Sequence, residues 1–288
     1  MAALATVAPA MRCLYVDLDG TLLGPGGSLL TGADGGFGLD GVRALQACAR
    51  ADVEVVIYSG RRQGSVAEAA RLLGQRSYIF ELGCGLVLDG ELEWLTDGVE
   101  PSPELGSIFD QIGASGAPEL LLETFAGRLE YHTPWSLGRD VSHLFRGQVD
   151  LQEAAAVLVA GGFDWLRLVD NGVLAAHGVA VDGDVFGLEV DRVHAYHLIP
   201  AGASKARAVA RHMQNRGLSR ADCIAVGDSR EDMDAADVVG CFWLVRNGLE
   251  RDPSLAVEVG ARGSRVQVAA EAFGAGVYEA VVTTLAER

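Results

Sequence analysis

The sequence predicts an α/β protein, a core with a doubly wound parallel sheet interrupted by an inserted α+β cap. Three observations carry this expectation. Short apolar runs alternate with Ala-rich helical stretches in the first and last thirds of the 288 residues, which is the rhythm of β-α-β units. In the middle third, strand candidates follow one another directly, as antiparallel strands do. Three of the outer runs end in acidic, hydroxyl or basic residues, as parallel strands do when their carboxyl ends open into a ligand crevice.

Residues 13–16 are an apolar run ending in Asp17-Leu18-Asp19-Gly20, the expected form of a buried first strand. Asp40 is placed to cap a helix with Val42, Leu45 and Ala49 on its inner face. A second strand at 53–58 ends in Ser59-Gly60-Arg61. A helix with Val66, Ala69, Ala70 and Leu73 inward then leads to a third strand at 77–80. The insertion reads as strands at 119–124 and 128–133 joined at Gly127, followed by a helix capped by Asp150 with Leu151, Ala154, Ala155 and Leu158 inward. Strands at 165–169, 173–176 and 194–199 follow. These place the first core segment at 1–90, the cap at 91–196 and the second core segment at 197–288. In that last segment Ser204 caps a helix with Ala206, Val209, Ala210 and Met213 inward, and strands lie at 223–226 and 241–245. The 223–226 strand ends in Gly227-Asp228-Ser229. Val277, Ala280, Val281 and Leu285 mark a closing helix.

Composition excludes several function classes. A net charge of −16 leaves no positive footprint for nucleic acid or an anionic membrane, since both bind by displacing counterions from a basic surface. No apolar run approaches membrane-spanning length. Residues 1–10 lack the basic start of a secretory leader and read as an extension ahead of Met11. The five cysteines have no CxxC spacing and read as buried free thiols of a reducing, cytoplasmic compartment. The histidines of the insertion lack zinc-ligand spacing.

The three polar strand ends bring Asp17 with Asp19, Ser59 with Arg61, and Asp228 with Asp232 to one edge of the sheet. Four carboxylates in one place repel unless a divalent cation neutralises them. Oxygen ligands without nearby His or Cys specify a hard ion, Mg²⁺. A cation with one lysine suits a phosphoryl group, whose transfer depends on positioning and charge neutralisation. Lys205, at a helix start on the way to Asp228, supplies that lysine.

In this order the motifs resemble the haloacid dehalogenase-like superfamily of phosphatases, whose core is Rossmann-like. Asp17-Leu18-Asp19-Gly20-Thr21-Leu22 matches the first motif, Ser59-Gly60-Arg61 the second, Lys205 the third, and Gly227-Asp228-Ser229-Arg230-Glu231-Asp232-Met233 the fourth. The insertion between the second and third motifs resembles the large α+β cap of the sugar-phosphatase branch.

The resemblance implies that Asp17 attacks phosphorus to form an aspartyl phosphate, and that Asp19 protonates the leaving alkoxide and then activates water. Ser59, Gly60, Arg61 and Lys205 would hold the phosphate or substrate. Mg²⁺ would sit on Asp17, the main-chain carbonyl of Asp19, Asp228 and Asp232. Glu231 and Leu82 depart from the branch, standing where Asn is usual at both positions. Among candidate substrate readers in the cap (Arg128, His132, Arg139, His143, Arg167, His177, His194 and His197), the pair Arg128 and His132 shares a strand face at i, i+4. The expected activity is hydrolysis of a small phosphate monoester, a phosphorylated sugar or glycoside. A phosphomutase using the same intermediate and a catalytically idle binding protein stand as alternatives.

Overall fold

The computed structural model describes residues 11–176, 188 and 190–287. The extension at 1–10 and the cap candidate His177 therefore lie outside the described residues. The chain begins β1 (Cys13–Val16), α1 (Asp40–Arg50), β2 (Glu54–Tyr58), α2 (Gln63–Leu72), β3 (Tyr78–Phe80), β4 (Gly85–Leu88) and β5 (Glu91–Trp94). It continues with α3 (Ile108–Ser115), α4 (Ala117–Thr124), β6 (Leu129–Tyr131), β7 (His143–Gly147), α5 (Leu151–Ala160), β8 (Leu166–Ala176) and β9 (Arg192–Pro200). Last come α6 (Lys205–Arg216), β10 (Cys223–Gly227), α7 (Arg230–Met233), β11 (Cys241–Leu244), α8 (Arg246–Arg251), α9 (Leu255–Arg262), β12 (Val266–Val268) and α10 (Phe273–Ala286).

Eight strands form the large sheet in the order β12-β11-β10-β1-β2-β3-β4-β5. Every pair from β12 to β3 is parallel, and β4 and β5 extend the sheet antiparallel. The strand order reverses at β1, flanked by β10 and β2, so its carboxyl end is the switch point where open α/β sheets bind ligands. Side chains alternate along β1: Leu14 and Val16 join the apolar cluster under α1 and α10, and Cys13 and Tyr15 join the opposite cluster under α6. Both faces are buried, as a parallel sheet requires. A second, wholly antiparallel sheet has the order β6-β7-β9-β8 and packs with α3, α4 and α5 around a third apolar cluster.

Several expectations need correction. Residues 119–124 are not a strand but most of α4, which starts with Pro118 in its first turn after left-handed Gly116. A short apolar run without alternation cannot separate a buried strand from a buried helix, and Pro in the first turn decides for the helix. Gly127, with positive φ, consequently joins a helix to β6 rather than two strands. Residues 165–169 and 173–176 are one strand, β8, with register shifts around positive-φ Gly172, the irregularity that an interior glycine allows. Glu91–Trp94, on the cap side of the expected boundary, belongs to the large sheet, and β9 runs unbroken through position 196.

The inner face of α1 is Gly41, Ala44 and Cys48, whereas Val42 and Ala49 are exposed. Small residues take the inside because α1 lies close against α10: a Cβ on Gly274 would stand 2.8 Å from the Gly41 nitrogen. Asp40 is the first helical residue rather than the cap, which is Leu39. In α5, Leu151 and Ala155 are exposed while Ala154 and Leu158 are buried. In α6, the buried face is Lys205, Ala208, Val209, His212 and Met213, one position round from Ala206 and Ala210. Asp150 and Ser204 cap their helices as expected, accepting from the N–H groups of Gln152 and Glu153 and of Arg207.

Candidate active site

Asp17 directly follows β1, and its N–H donates to the Val226 carbonyl of β10 at 3.1 Å. This fixes the first acidic residue between two parallel strands. Leu18 is buried and Gly20 turns the chain at φ 81°, a backbone region that glycine enters without Cβ strain. Asn247 clamps that turn by donating to the Gly20 carbonyl at 2.7 Å.

Lys205 opens α6 and is 1% exposed. Its Nζ donates to Asp17 Oδ1 at 2.9 Å and to Asp232 Oδ1 at 2.6 Å, and lies 4.9 Å from the centre of the Tyr58 ring. Burial works against the ammonium charge, but the two carboxylates outweigh it and raise the Lys205 pKa. Asp232 does two jobs. Its other oxygen accepts from the N–H groups of Asp228 and Ser229 and from Ser229 Oγ, so it caps α7 while it holds the lysine.

Asp228 accepts from Thr21 Oγ at 3.0 Å and from the Arg251 guanidinium. Burial pushes the Asp17 carboxyl well above its ordinary range. Lys205 pulls against that push, and Asp232 and Asp228 add to it. Asp228 is raised by burial too, against the pull of Arg251. One oxygen each from Asp17, Asp228 and Asp232 lie within 4.8 Å of one another. Three buried carboxylates, all hard oxygen donors that repel one another, fit a divalent cation of the Mg²⁺ type. The Asp19 carboxylate is not part of this group. It takes two hydrogen bonds from Arg61, Nε to Oδ2 at 2.6 Å and Nη2 to Oδ1 at 2.5 Å. Arg61, expected with Ser59, Gly60 and Lys205 to hold the phosphate or substrate, instead holds Asp19.

Ser59 is 1% exposed and accepts from the Arg61 N–H. Gly60 leaves space that a side chain would close, because a Cβ there would approach Asn171 Nδ2 to 2.8 Å. The Gly60 carbonyl accepts from Arg139, which also donates to Ser142 Oγ at 2.7 Å. Ser142 Oγ in turn lies 3.0 Å from His197 Nδ1. Burial first, then Arg139 and Lys205, hold His197 well below the ordinary imidazole range, so it is neutral. Beneath this network the Glu81 carboxylate, fully buried, accepts from the N–H groups of Asp140, Val141 and Ser142 and pairs with Arg139 at 3.5 Å.

The two departures from the motif pattern have clear surroundings. Leu82 sits in the left-handed region at φ 58° with its side chain buried, where Asn would be the less strained residue. Glu231 stands 3.5 Å from Arg167 and outside the carboxylate group, its pKa raised to about 7 by burial against the pull of Arg167.

A cleft of about 860 Å³ joins the two sheets, with Asp17, Asp19, Ser59, Lys205 and Asp228 on one wall and His132, Trp135, Arg139, Asn171 and His197 on the other. The expected pair Arg128 and His132 separates. His132 lines the cleft, whereas Arg128 pairs with Glu153 at 3.6 Å and covers the Phe125 ring. Sequence reasoning missed Arg251, Thr21, Asn247 and Asn171. Thr21 was visible inside the first motif, but the other three carry no local signal.

No family model matches the chain. A phosphoglycolate phosphatase of Methanoculleus marisnigri is 26% identical over 274 residues, 94% of this chain and 95% of that protein. Among solved structures, a haloacid dehalogenase-like hydrolase from Bacteroides thetaiotaomicron superposes with a TM-score of 0.57 at 14% identity, covering 94% of this chain and 98% of the other. The chain has the haloacid dehalogenase-like fold. The sucrose-phosphatase of Synechocystis, solved with sucrose and phosphate, shares that fold with a TM-score of 0.61 at 15% identity, over 96% of this chain and 98% of its own. Within the haloacid dehalogenase-like fold the four motifs of this sequence meet at the carboxyl ends of β1, β2 and β10 and at the start of α6.

Proposed function

We propose that this protein is a Mg²⁺-dependent phosphoric monoester hydrolase that works through an aspartyl phosphate on Asp17. The observation that carries the reading is the buried Lys205 ammonium bridging Asp17 and Asp232, beside Asp228. The names of the phosphoglycolate phosphatase and sucrose-phosphatase relatives support it. Asp17 Oδ attacks phosphorus and the P–O bond to the alcohol breaks. Asp19 gives its proton to the departing alkoxide, then takes one from water as that water attacks the acyl phosphate. Inorganic phosphate leaves and the Asp17 carboxylate is restored. Mg²⁺, held by Asp17, Asp228, Asp232 and the Asp19 carbonyl, would supply charge neutralisation for the phosphoryl group.

Lys205 keeps Asp17 in place and offers a cation to the phosphoryl oxygens, and Ser59 and the Gly60 N–H hold one of those oxygens. Arg61, with one hydrogen bond to each Asp19 oxygen, holds that carboxyl in position while leaving each oxygen a free site for the leaving group or water. We assign the second sheet, with α3, α4 and α5, the role of a cap whose Arg139, Asn171 and His197 read the leaving group. A cleft of about 860 Å³ has room for a sugar or glycoside phosphate and lies within the usual range for small-ligand sites. A small phosphorylated carboxylic acid is the second reading, favoured by Arg61, Arg62, Arg139 and Arg251 in the same cleft. The setting is a reducing, cytoplasmic one, in keeping with five free cysteines. No described helix is long and apolar enough to cross a membrane.

The test is a turnover screen of phosphorylated sugars, glycosides and hydroxy acids with Mg²⁺, alongside Asp17→Asn. Phosphate release that needs Mg²⁺ and disappears in the variant is expected. Full activity in Asp17→Asn would sink the mechanism. Preference for phosphoglycolate over every sugar phosphate would replace the first substrate reading with the second.

A further inference from the structure

At the opposite, amino-terminal end of the same strands lies a second cluster that the phosphoryl chemistry does not use. Cys13 of β1, Glu54 of β2 and His212 of α6 each place a donor atom within 4.8 Å of the others. Cys13 and His212 are fully buried, and Glu54 is 31% exposed at its side chain. The His212 ring is oriented by its far nitrogen: Nδ1 lies 2.9 Å from Tyr15 Oη, with the rings edge to face. Nε2 lies 3.5 Å from Glu54 Oε1, the distance of a loose ion pair rather than of a well-formed hydrogen bond. A fully buried imidazole nitrogen with only this long contact, beside a thiol and a carboxylate, carries a desolvation cost that a metal ligand does not.

We propose that Cys13, Glu54 and His212 form a site for a borderline-soft divalent cation of the Zn²⁺ class, separate from the carboxylate group at Asp17. Thiolate and carboxylate bring two negative charges to the ion, while Arg216, which shares Glu54, is itself balanced by Asp89. Zinc bonds of about 2.3 Å to sulfur and about 2.0 Å to nitrogen put neighbouring ligand atoms about 3.5 Å apart. His212 Nε2 and Glu54 Oε1 already stand at that spacing. With Nε2 on the ion, Nδ1 carries the proton and donates to Tyr15, the outer-shell contact that fixes a ligating histidine. Glu54 also accepts from Arg216 and is the partly exposed member, so the ion enters from its side. Both centres lie on α6, which starts at Lys205 and carries His212 two turns later. Its occupancy therefore stiffens the helix that presents the lysine.

Cobalt(II) reads this site without reference to turnover, because only a thiolate ligand gives a sulfur-to-cobalt charge-transfer absorption and the Asp17 group has no sulfur. Co²⁺ is titrated into the metal-stripped full chain and into the Asp17→Asn, Asp228→Asn variant. A saturable charge-transfer band is expected in both, displaced by Zn²⁺ and absent in Cys13→Ser. Tyr15→Phe should weaken Co²⁺ binding by about tenfold or more, the usual effect of removing an outer-shell partner. If Cys13→Ser does not fold, Glu54→Gln decides, with a similar loss expected. No band in the unaltered chain, a band that survives Cys13→Ser, or unchanged affinity in Glu54→Gln would each overturn the assignment.

Discussion

Replacing Lys205 with Met keeps the length of the side chain and removes its charge, so it isolates what the ammonium does. Lys205 is 1% exposed, and its two partners are nearly as buried, with side chains 7% and 1% exposed. Without it, Asp17 and Asp232 face each other, and the nearest remaining cation, Arg251, sits on Asp228. Breaking a buried pair in this way costs about 3–5 kcal/mol, since the remaining charges stay desolvated. At this chain length each kcal/mol lowers Tm by roughly 2 °C, which gives a fall on the order of 6–10 °C.

The deficit has a definite pH dependence. Asp17 already has a raised pKa in the folded protein, from burial and its carboxylate neighbours, and Lys205 opposes that rise. Removing Lys205 raises it further. A carboxyl whose folded pKa lies above its unfolded one begins to destabilise the fold as pH rises past the unfolded value, does so fully above the folded value, and ceases to do so below the unfolded value. The gap between Lys205→Met and the unaltered chain should therefore be widest near neutrality and narrow toward acid pH. Thermal unfolding in chelator at several pH values measures it, and added Mg²⁺ should recover part of the loss. A variant as stable as its parent near neutrality, or a gap that widens on acidification, would refute this account of the site.

Two further outcomes follow from the contacts around the cleft. Arg61→Gln frees the Asp19 carboxylate from its two hydrogen bonds; phosphate release should fall about tenfold to a hundredfold through mispositioning of the acid, with Tm changed by little, as steady-state kinetics and calorimetry would show. Glu81→Ala strips three N–H groups, two of them buried, and Arg139 of a shared acceptor, so denaturant unfolding should report a loss of about 3–5 kcal/mol, with the Asp140–Ser142 amides exchanging faster than those of β1.

The large sheet was legible in the sequence because its strands are doubly buried apolar runs that end in chemistry, a pattern that composition and motif both mark. Asp17, Ser59, Lys205 and Asp228 line one cleft, and Lys205 donates to Asp17 and Asp232. What the sequence hid has physical causes. The 119–124 segment lacks any alternation that would separate strand from helix, and β4 and β5 are short strands whose pairing depends on a neighbour rather than on their own pattern. Helix faces were misjudged where Gly, Ala and Cys, rather than Val and Leu, make the close approach in α1, and where the buried face of α6 includes a lysine and a histidine. Arg61 was in view, but its grip on Asp19 joins residues 42 positions apart. Arg251 and Asn171 reach the cleft through folding alone, and no local motif announces them.

The approach of α1 to α10 bears on how sequence variation in relatives should be interpreted. A Cβ on Gly274 would press on the Gly41 backbone, and one on Gly41 would stand 2.9 Å from Leu29 Cδ1 and 3.2 Å from the Leu22 carbonyl. Leu22 closes the first motif, so the glycine of α1 and the glycine of α10 set how near the loop after Asp17 can lie to these two helices. Neither glycine touches phosphate, metal or leaving group, yet both are as intolerant of side chains as the acids are of neutral ones. An invariant residue at either position would reflect lack of space, and counting it as evidence for a reaction would credit chemistry with what belongs to packing.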